Sequence, residues 1–303
     1  MEQEKKYGIV FAGGGAKGAY QAGVLLAMQE LDLIKDIEAA AGASVGSLNM
    51  LFLSGTDMKK AYDVWDGLQA KDFVSLDDNG YDITRAGDGI FSRDGLIRII
   101  DNNIDLQKVS DSAIPYYVTV SRKSEGEHFV PEYVKLNGMS GEKIKTYLLA
   151  SSALPVIYDA VTIDNAMYYD GGLTDNTPIS ALYRNGIRDI IIISNNNKYV
   201  PEKYRFPDAN LYTLVPSENL DLDTLWGTAD LSKSRAAYRL KLGYLDAKAM
   251  LPALLKGEKI PDVSKNRVIA EQDMQRNKVQ SEFNRDMDGL KGIMSKYGMD
   301  DLV

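Results

Sequence analysis

Short apolar runs alternate with longer amphipathic segments over most of the chain. Residues 7–11 and 189–194 form two such runs, and the four consecutive isoleucines of the second suit a strand buried on both faces of a parallel sheet. Apolar residues at helical spacing follow the first run as far as Leu33, and a longer helix is predicted over 231–255. Strands that alternate with helices in this way predict an α/β protein with a mostly parallel central sheet.

The pattern changes after residue 256. A polar linker over 256–261 leads into a highly charged segment with sparse apolar positions. We therefore predict a folded domain over 1–256 and a charged helical extension over 257–303, which packs on that domain or on a second copy of the chain. The mixed charge of the extension makes a membrane surface its weaker alternative. Another polar, glycine-rich segment, 71–94, is predicted to be irregular surface structure, of the kind that often forms a lid or an entrance.

The composition removes several classes of site and partner. The 303 residues include no Cys and a single His, His128, so that a Cys-ligated metal is excluded, a His-ligated metal nearly so, and no metal site is expected. The net charge of −8 argues against nucleic acid as the main partner. No apolar region typical of a secretory signal and no apolar run of about 18 residues occurs. We therefore expect a cytoplasmic protein, with peripheral attachment to a membrane as the alternative.

A short turn containing serine and glycine is the first candidate for chemistry. Gly42-Ala43-Ser44-Val45-Gly46 follows an apolar run and precedes a helical segment. This is the G-x-S-x-G pattern of a nucleophile elbow, in which a serine on a sharp strand-to-helix turn exposes its hydroxyl at the end of a strand. The helix behind the serine would direct its partial positive charge at negative charge forming there. An ordinary strand-to-helix loop with small residues for close packing is the alternative.

A glycine-rich turn follows the first predicted strand, in the sequence Gly-Gly-Gly-Ala-Lys-Gly that begins at Gly13. The N–H groups of Gly14 and Gly15 are predicted to form an oxyanion hole beside the candidate serine. The spacing also satisfies the dinucleotide fingerprint G-x-G-x-x-G, but the second strand ends in small residues instead of the acidic residue that holds a ribose. A nucleotide-binding regulatory module is therefore the weaker alternative. Lys17 is interpreted as a contact to substrate phosphate or as a solvated cation.

An aspartate supplies the candidate base. Asp170-Gly171-Gly172 follows a predicted hairpin of strands 160–163 and 166–169, and its glycines leave the carboxylate accessible in a tight turn. An Asx-type turn is the alternative interpretation. His128 flanks a different predicted hairpin. In α/β-hydrolase triads the His follows the acid in the chain, but no His follows Asp170, so His128 is not expected to be catalytic.

The three turns have a common explanation. Each follows a predicted strand, so that in a parallel sheet all three meet at its carboxyl edge. Acyl transfer needs a nucleophile, a base and donors for the oxyanion. These roles are filled without a His by Ser44, Asp170 and the glycine N–H groups. This requires that burial raises the pKa of the Asp170 carboxyl and that the carboxyl contacts the serine oxygen directly.

These motifs resemble those of the patatin-like phospholipase family. The resemblance rests on four sequences that begin at Gly13, Gly42, Ala150 and Asp170: Gly-Gly-Gly-Ala-Lys-Gly, Gly-Ala-Ser-Val-Gly, Ala-Ser-Ser-Ala-Leu-Pro and Asp-Gly-Gly. The Asn-Thr-Pro that follows the aspartate is also similar. Because their order, spacing and flanking structure agree, the set is far more specific than any one motif. The resemblance covers residues 7 to 250 and does not reach the charged segment after the linker.

The resemblance implies a three-layer α/β/α fold and hydrolysis of acyl esters of lipids. By the same resemblance Ser44 is the nucleophile, Asp170 is the base, and Gly13, Gly14 and Gly15 form the oxyanion region. The expected partner is a lipid or acyl-ester substrate, with transient contact to a membrane surface, and no cofactor is implied. A non-phospholipid esterase, lipase or thioesterase of the same mechanism is the nearest alternative. A second copy of the chain, bound through the extension, is a further candidate partner.

Overall fold

The computed structural model describes residues 5–68, 75–76, 91–126, 128–155, 157–221, 230 and 232–278. Most of the predicted surface segment 71–94 and residues 279–303 of the predicted extension lie outside the described residues. The strands are β1 Tyr7–Phe11, β2 Ile37–Ala43, β3 Ser75–Leu76, β4 Phe91–Ser92, β5 Tyr116–Lys123, β6 Phe129–Lys135, β7 Val161–Ile163, β8 Ala166–Asp170, β9 Asp189–Ile193 and β10 Asn210–Leu214. The helices are α1 Gly18–Glu30, α2 Val45–Asn49, α3 Lys59–Gly67, α4 Asp94–Asn103, α5 Leu106–Asp111, α6 Gly141–Ser151, α7 Ile179–Tyr183 and α8 Lys233–Lys256, followed by α9 over 264–278.

Most of the described strands belong to one mixed sheet. Its order is β10-β9-β1-β2-β5-β8-β7, and β6 pairs with β5 as well. The strands from β10 to β5 are parallel, whereas β6, β8 and β7 pair antiparallel with their neighbours. The predicted α/β fold with a mostly parallel sheet is therefore confirmed, and an antiparallel group of strands adjoins the parallel part.

Strand β5 extends beyond the end of β2, and β8 pairs with the part of β5 that extends. Ala43 at the end of β2 pairs with Thr119, and Asp170 at the end of β8 pairs with the next residue, Val120. Strand β6 pairs with both of these β5 residues, so it occupies the opposite edge of β5. Strands β2 and β8 therefore lie along the same edge of β5, and their carboxyl ends meet.

Apolar side chains pack on both faces of the sheet, as the apolar strands predict. Along β9, Ile191 and Ile193 belong to the core on one face, and Ile190 and Ile192 belong to the core on the other. The first core is covered by α1, α2, α6 and α8, and the second by the shorter α7. The predicted strand with two buried faces is thus confirmed, and the sheet lies between helical layers of unequal size.

Helix α8 crosses α1 so closely that the backbones touch. A Cβ at Gly23 of α1 would lie 2.0 Å from the carbonyl oxygen of Leu240, and a Cβ at Gly243 of α8 would lie 2.0 Å from that of Tyr20. These two glycines therefore set the distance between the helices. The contact fixes α8 against the helix that follows the glycine-rich turn.

The described part of the predicted extension packs on the rest of the same chain. Ala270 of α9 is fully buried, and the Asn266 side chain donates a hydrogen bond of 2.9 Å to the buried Asp246 of α8. Lys241 and Asp273 add an ion pair of 3.2 Å. The boundary at residue 256 and the binding of a second copy stay predictions.

Among the described helices, none combines the length and the apolar character needed to cross a membrane.

Candidate active site

Ser44 lies at the turn between β2 and α2 in a strained backbone conformation. Its φ is 53° and its ψ is −130°, a region that costs a residue with a side chain about 1–3 kcal/mol. The flanking glycines make the turn sterically possible. A Cβ at Gly42 would lie 2.5 Å from the carbonyl of Gly46, and a Cβ at Gly46 would lie 2.3 Å from the carbonyl oxygen of Phe11. The strand, sharp turn and helix that the sequence predicts are therefore present.

Two further serines hold this turn. The Ser44 N–H donates to Ser151 Oγ at 2.9 Å, and the Ser151 hydroxyl donates to the carbonyl oxygen of Thr119 at 2.7 Å. The Ser47 hydroxyl donates to the Ser44 carbonyl oxygen at 2.5 Å. Ser151 is fully buried at the end of α6, so a single hydroxyl connects the elbow to β5. The sequence marked the motif around Ser151 but did not indicate this role.

Asp170 is buried beside the serine. Burial raises the pKa of its carboxyl to about 6, although hydrogen bonds from the Ser44 side chain and the Gly172 N–H act in the opposite direction. The bond from Gly172 to Oδ1 is 2.7 Å long. The Asp170 N–H donates to the carbonyl oxygen of Ala153 at 2.9 Å, and the Ser121 hydroxyl donates to the Asp170 carbonyl oxygen at 2.8 Å. A carboxylate with this pKa is a stronger base than an ordinary one, and it is still mainly ionised at neutral pH.

The structure brings Ser44 and Asp170 together by a route that differs from the expected one. The sequence places both at the carboxyl edge of parallel strands, but β8 runs antiparallel to β5. The two residues meet because the end of β8 faces the end of β2. Strand β8 is also the second strand of a hairpin with β7, whose turn residues Asp164 and Asn165 both have positive φ.

The three glycines of the glycine-rich turn have different surroundings. The Gly13 N–H donates to the carbonyl oxygen of Asn176 at 3.0 Å. A Cβ at Gly13 would lie 3.2 Å from Ser44 Cβ, so this glycine packs directly against the serine. Within the described parts of the chain, the N–H groups of Gly14 and Gly15 have no acceptor. Gly14 and Gly15 can therefore bind an oxyanion, whereas the N–H of Gly13 is already occupied.

Two amide side chains fix the carbonyl groups of this turn. The Asn195 amide donates to the carbonyl oxygens of Ala12 at 3.1 Å and Gly13 at 3.3 Å, and the Asn176 amide donates to Gly13 at 3.3 Å. Because a trans peptide places its N–H opposite its C=O, these bonds direct the Gly14 N–H away from the amides. Asn195, which is buried just after β9, was not predicted as a site residue. A run of three asparagines at the end of an apolar strand is the signal that could have revealed it.

Lys17 differs from a solvated cation. Its side chain is only 15% exposed, and its ammonium lies 3.2 Å from a carboxylate oxygen of Asp221. The buried Arg239 holds the same region, because its guanidinium donates to the carbonyl oxygens of Asp230 at 2.6 Å and Ala16 at 3.5 Å. An anionic substrate group at Lys17 would therefore have to compete with Asp221.

The single histidine lies elsewhere. His128 is exposed at the β5–β6 turn, where its carbonyl oxygen accepts the Ser124 N–H at 2.9 Å. No group of three or more His, Cys, Asp or Glu side chains in the described ranges is arranged to hold a metal ion. The arrangement beside Ser44 thus consists of a hydroxyl, a carboxylate and backbone N–H groups, which are the components that acyl transfer requires.

Comparison with known proteins identifies the family. The model of the patatin-like phospholipase family matches residues 9–183, more than half of the chain, and the chain therefore belongs to this family. Lysophospholipase NTE1 of Cryptococcus neoformans is 26% identical over 193 residues, which are 62% of this chain and 11% of that protein. Neuropathy target esterase sws of Drosophila melanogaster is 27% identical over 191 residues, 61% of this chain and 12% of that protein. The match thus spans about a tenth of the length of these relatives.

A solved structure shows the same fold. Human GIVD cytosolic phospholipase A2 is similar with a TM-score of 0.51 and 10% identity, over 83% of this chain and 59% of that one. At this identity the similarity concerns the fold alone.

Proposed function

We propose that the chain is a serine acyl hydrolase that cleaves carboxylic esters of lipids with a Ser44–Asp170 dyad. The observation that carries the proposal is the juxtaposition of two strand ends: Ser44 directly follows β2, the buried Asp170 ends β8, and Ala43 and Asp170 pair with adjacent residues of β5. Membership of the patatin-like phospholipase family, and relatives named lysophospholipase and neuropathy target esterase, support lipid esters as the substrate class. The finer form of the proposal is a phospholipase A.

In the first half of the proposed reaction, Ser44 Oγ attacks the carbonyl carbon of the ester while Asp170 accepts the hydroxyl proton. The N–H groups of Gly14 and Gly15 stabilise the oxyanion of the tetrahedral intermediate; one such donor is typically worth about 10²–10³ in rate. When the intermediate collapses, its bond to the alcohol oxygen breaks and Asp170 returns the proton to this leaving group. The product of this half-reaction is an acyl ester on Ser44.

In the second half, water attacks the acyl-Ser44 carbonyl and Asp170 accepts its proton. The second tetrahedral intermediate uses the same two N–H groups. It releases the fatty acid, and the proton on Asp170 returns to Ser44 Oγ. Burial supports Asp170 in both halves, because it raises the pKa of the carboxyl toward the value at which proton transfer is reversible near neutral pH.

Hydrolysis of p-nitrophenyl butyrate by three variants tests the proposal. Ser44→Ala and Asp170→Asn should each lose at least roughly 10³ in kcat, because they remove the nucleophile and the base. His128→Ala is the control and should keep its activity. Full activity in Ser44→Ala would contradict the proposal, and a strong loss in His128→Ala would replace the dyad with a triad.

A panel of phospholipids, lysophospholipids, triacylglycerols and acyl-CoA tests the finer form. A phospholipase A should prefer the phospholipids, whereas preference for triacylglycerols or acyl-CoA would favour a lipase or a thioesterase of the same mechanism. A nucleotide-binding module would instead bind NAD or ATP saturably and fail to react with a fluorophosphonate.

A further inference from the structure

A polar crevice of about 490 Å³ lies beside the proposed active site, at the carboxyl ends of β1 and β9. From β1 the chain continues to β2 on one side, and β9 is added later on the other side. The crevice therefore lies at the topological switch point, where open α/β sheets bind ligands. Its lining includes Gly13 and Asn176, and Gly13 packs directly against Ser44. The crevice thus adjoins the proposed nucleophile.

Amide, hydroxyl and charged side chains dominate the lining of this crevice. Asn197 and Lys198 contribute from the segment after β9, and within the described residues neither side chain has a hydrogen-bond or ion-pair partner. Lys17 and Asp221 also line it but balance each other at 3.2 Å. Among the charged residues of the described lining, Lys198 therefore remains as an excess of positive charge, although the whole chain carries −8.

The side of Ser44 that faces Asp170 has a different character. Leu154 and Leu173 are 44% and 42% exposed there. Leu154 follows Ala153, which accepts the Asp170 N–H, and Leu173 is the third residue after Asp170. An acyl chain in the polar crevice would remove the amides and the ammonium of the lining from water without offering them hydrogen bonds in return. The hydrocarbon of a substrate therefore fits the Asp170 side, and its polar end fits the crevice.

We propose that this crevice is a head-group subsite for the phosphodiester of a glycerophospholipid, with the Lys198 ammonium and the Asn197 amide as donors to its phosphate oxygens. Both groups are hydrogen-bond donors, and an ammonium forms strong charge-assisted bonds with phosphate. The phosphate contact thereby belongs to Lys198 and not to Lys17, whose charge Asp221 already balances. The inference rests on the proposed hydrolysis of lipid esters and adds the residues that recognise the head group of a phospholipid substrate.

The test compares two monomeric substrates, dihexanoylphosphatidylcholine, which has a phosphodiester head group, and dihexanoylglycerol, which has none. In Lys198→Ala, kcat/KM for the phospholipid should fall about ten-fold through KM, because one charge-assisted hydrogen bond is lost. The same variant should hydrolyse dihexanoylglycerol as the wild type does. Lys203→Ala is the matched control, since Lys203 is also exposed but lies outside the crevice lining. It should hydrolyse both substrates normally.

Unchanged phospholipid hydrolysis in Lys198→Ala, or an equal loss on both substrates, would overturn the head-group subsite. A wild-type protein that hydrolyses dihexanoylglycerol but not the phospholipid would overturn it too. These outcomes differ from failure of the proposed function, in which the wild type hydrolyses neither substrate nor p-nitrophenyl butyrate.

Inhibitors separate a lipid head group from free phosphate. Glycerophosphocholine should inhibit the wild type competitively against the phospholipid and should inhibit Lys198→Ala about ten-fold more weakly. Inorganic phosphate should inhibit less than glycerophosphocholine, because it lacks the alcohol that extends along the crevice. Equal inhibition by the two compounds would indicate a general anion site and would contradict the proposal.

Discussion

The parallel and antiparallel parts of the sheet contribute different components of the candidate site. In the parallel part, β1 and β2 end side by side, and the turns after them carry Gly14, Gly15 and Ser44. In the antiparallel part, β8 pairs with the extension of β5 and ends at Asp170, opposite the end of β2. The first part supplies a hydroxyl and N–H groups, and the second supplies a buried carboxyl.

This difference explains how an aspartate can act on the serine without an intervening imidazole. An aspartate side chain is short, so its carboxyl contacts a serine hydroxyl only where the two backbones are close. Strand ends that face each other along one edge of β5 provide this closeness. The same arrangement buries Asp170, and burial raises the pKa of its carboxyl to about 6.

Gly171→Ala breaks the arrangement most directly. A Cβ at Gly171 would lie 2.2 Å from the carbonyl oxygen of Thr119, so the end of β8 must move away from β5. We expect kcat/KM for p-nitrophenyl butyrate to fall roughly 10²-fold or more, since a displacement of about 1 Å has that effect. We also expect a loss of about 1–3 kcal/mol in the free energy of unfolding in urea. Gly67→Ala, where a Cβ meets no atom within 4 Å, is the control. Wild-type activity in Gly171→Ala would show that the contact with β5 is dispensable.

Ser151→Ala removes the hydroxyl that connects the elbow to β5. It leaves the Ser44 N–H and the Thr119 carbonyl without their partner, which should lower the free energy of unfolding by about 1–3 kcal/mol. Because the strained turn loses a support, kcat should fall about ten-fold with little change in KM. Ser152→Ala is a matched control, since the Ser152 hydroxyl is buried without a partner in the described structure. Equal behaviour of the two variants would contradict the role of Ser151.

The free energy of unfolding should depend on pH because Asp170 is buried. The pKa of its carboxyl is raised from 3.8 to about 6 in the folded chain, so between these values the folded state keeps a proton that the unfolded state has lost. The free energy of unfolding should therefore fall by roughly 3 kcal/mol as the pH rises through this interval. Asp170→Asn carries no titrating proton and should lack this fall. Urea unfolding at several pH values measures the free energy of unfolding of the wild type and of Asp170→Asn. If the two values differ by the same amount at every pH, the prediction is wrong.

The sequence predicts the parallel part of the site better than the antiparallel part. Ser44 and the glycine-rich turn each arise from a strand, turn and helix that are adjacent in the chain. Asp170 could be singled out by its two glycines, but the direction of β8 could not, because it depends on pairing with a distant strand. The contacts of Ser151 and Asn195 could not be predicted for the same reason, although the run of asparagines after β9 marks the position of Asn195. Ser151 acts on Ser44 over 107 positions, and Asn195 acts on Gly13 over 182 positions.

The rate at which a fluorophosphonate modifies the protein, measured against pH and combined with mass spectrometry of the modified peptide, tests the central claim most directly. We expect one adduct, on Ser44. It should form faster as the pH rises through about 6 in the wild type and in His128→Ala, and far more slowly in Asp170→Asn. An adduct on another residue would contradict it. So would reactivity that survives in Asp170→Asn and is lost in His128→Ala.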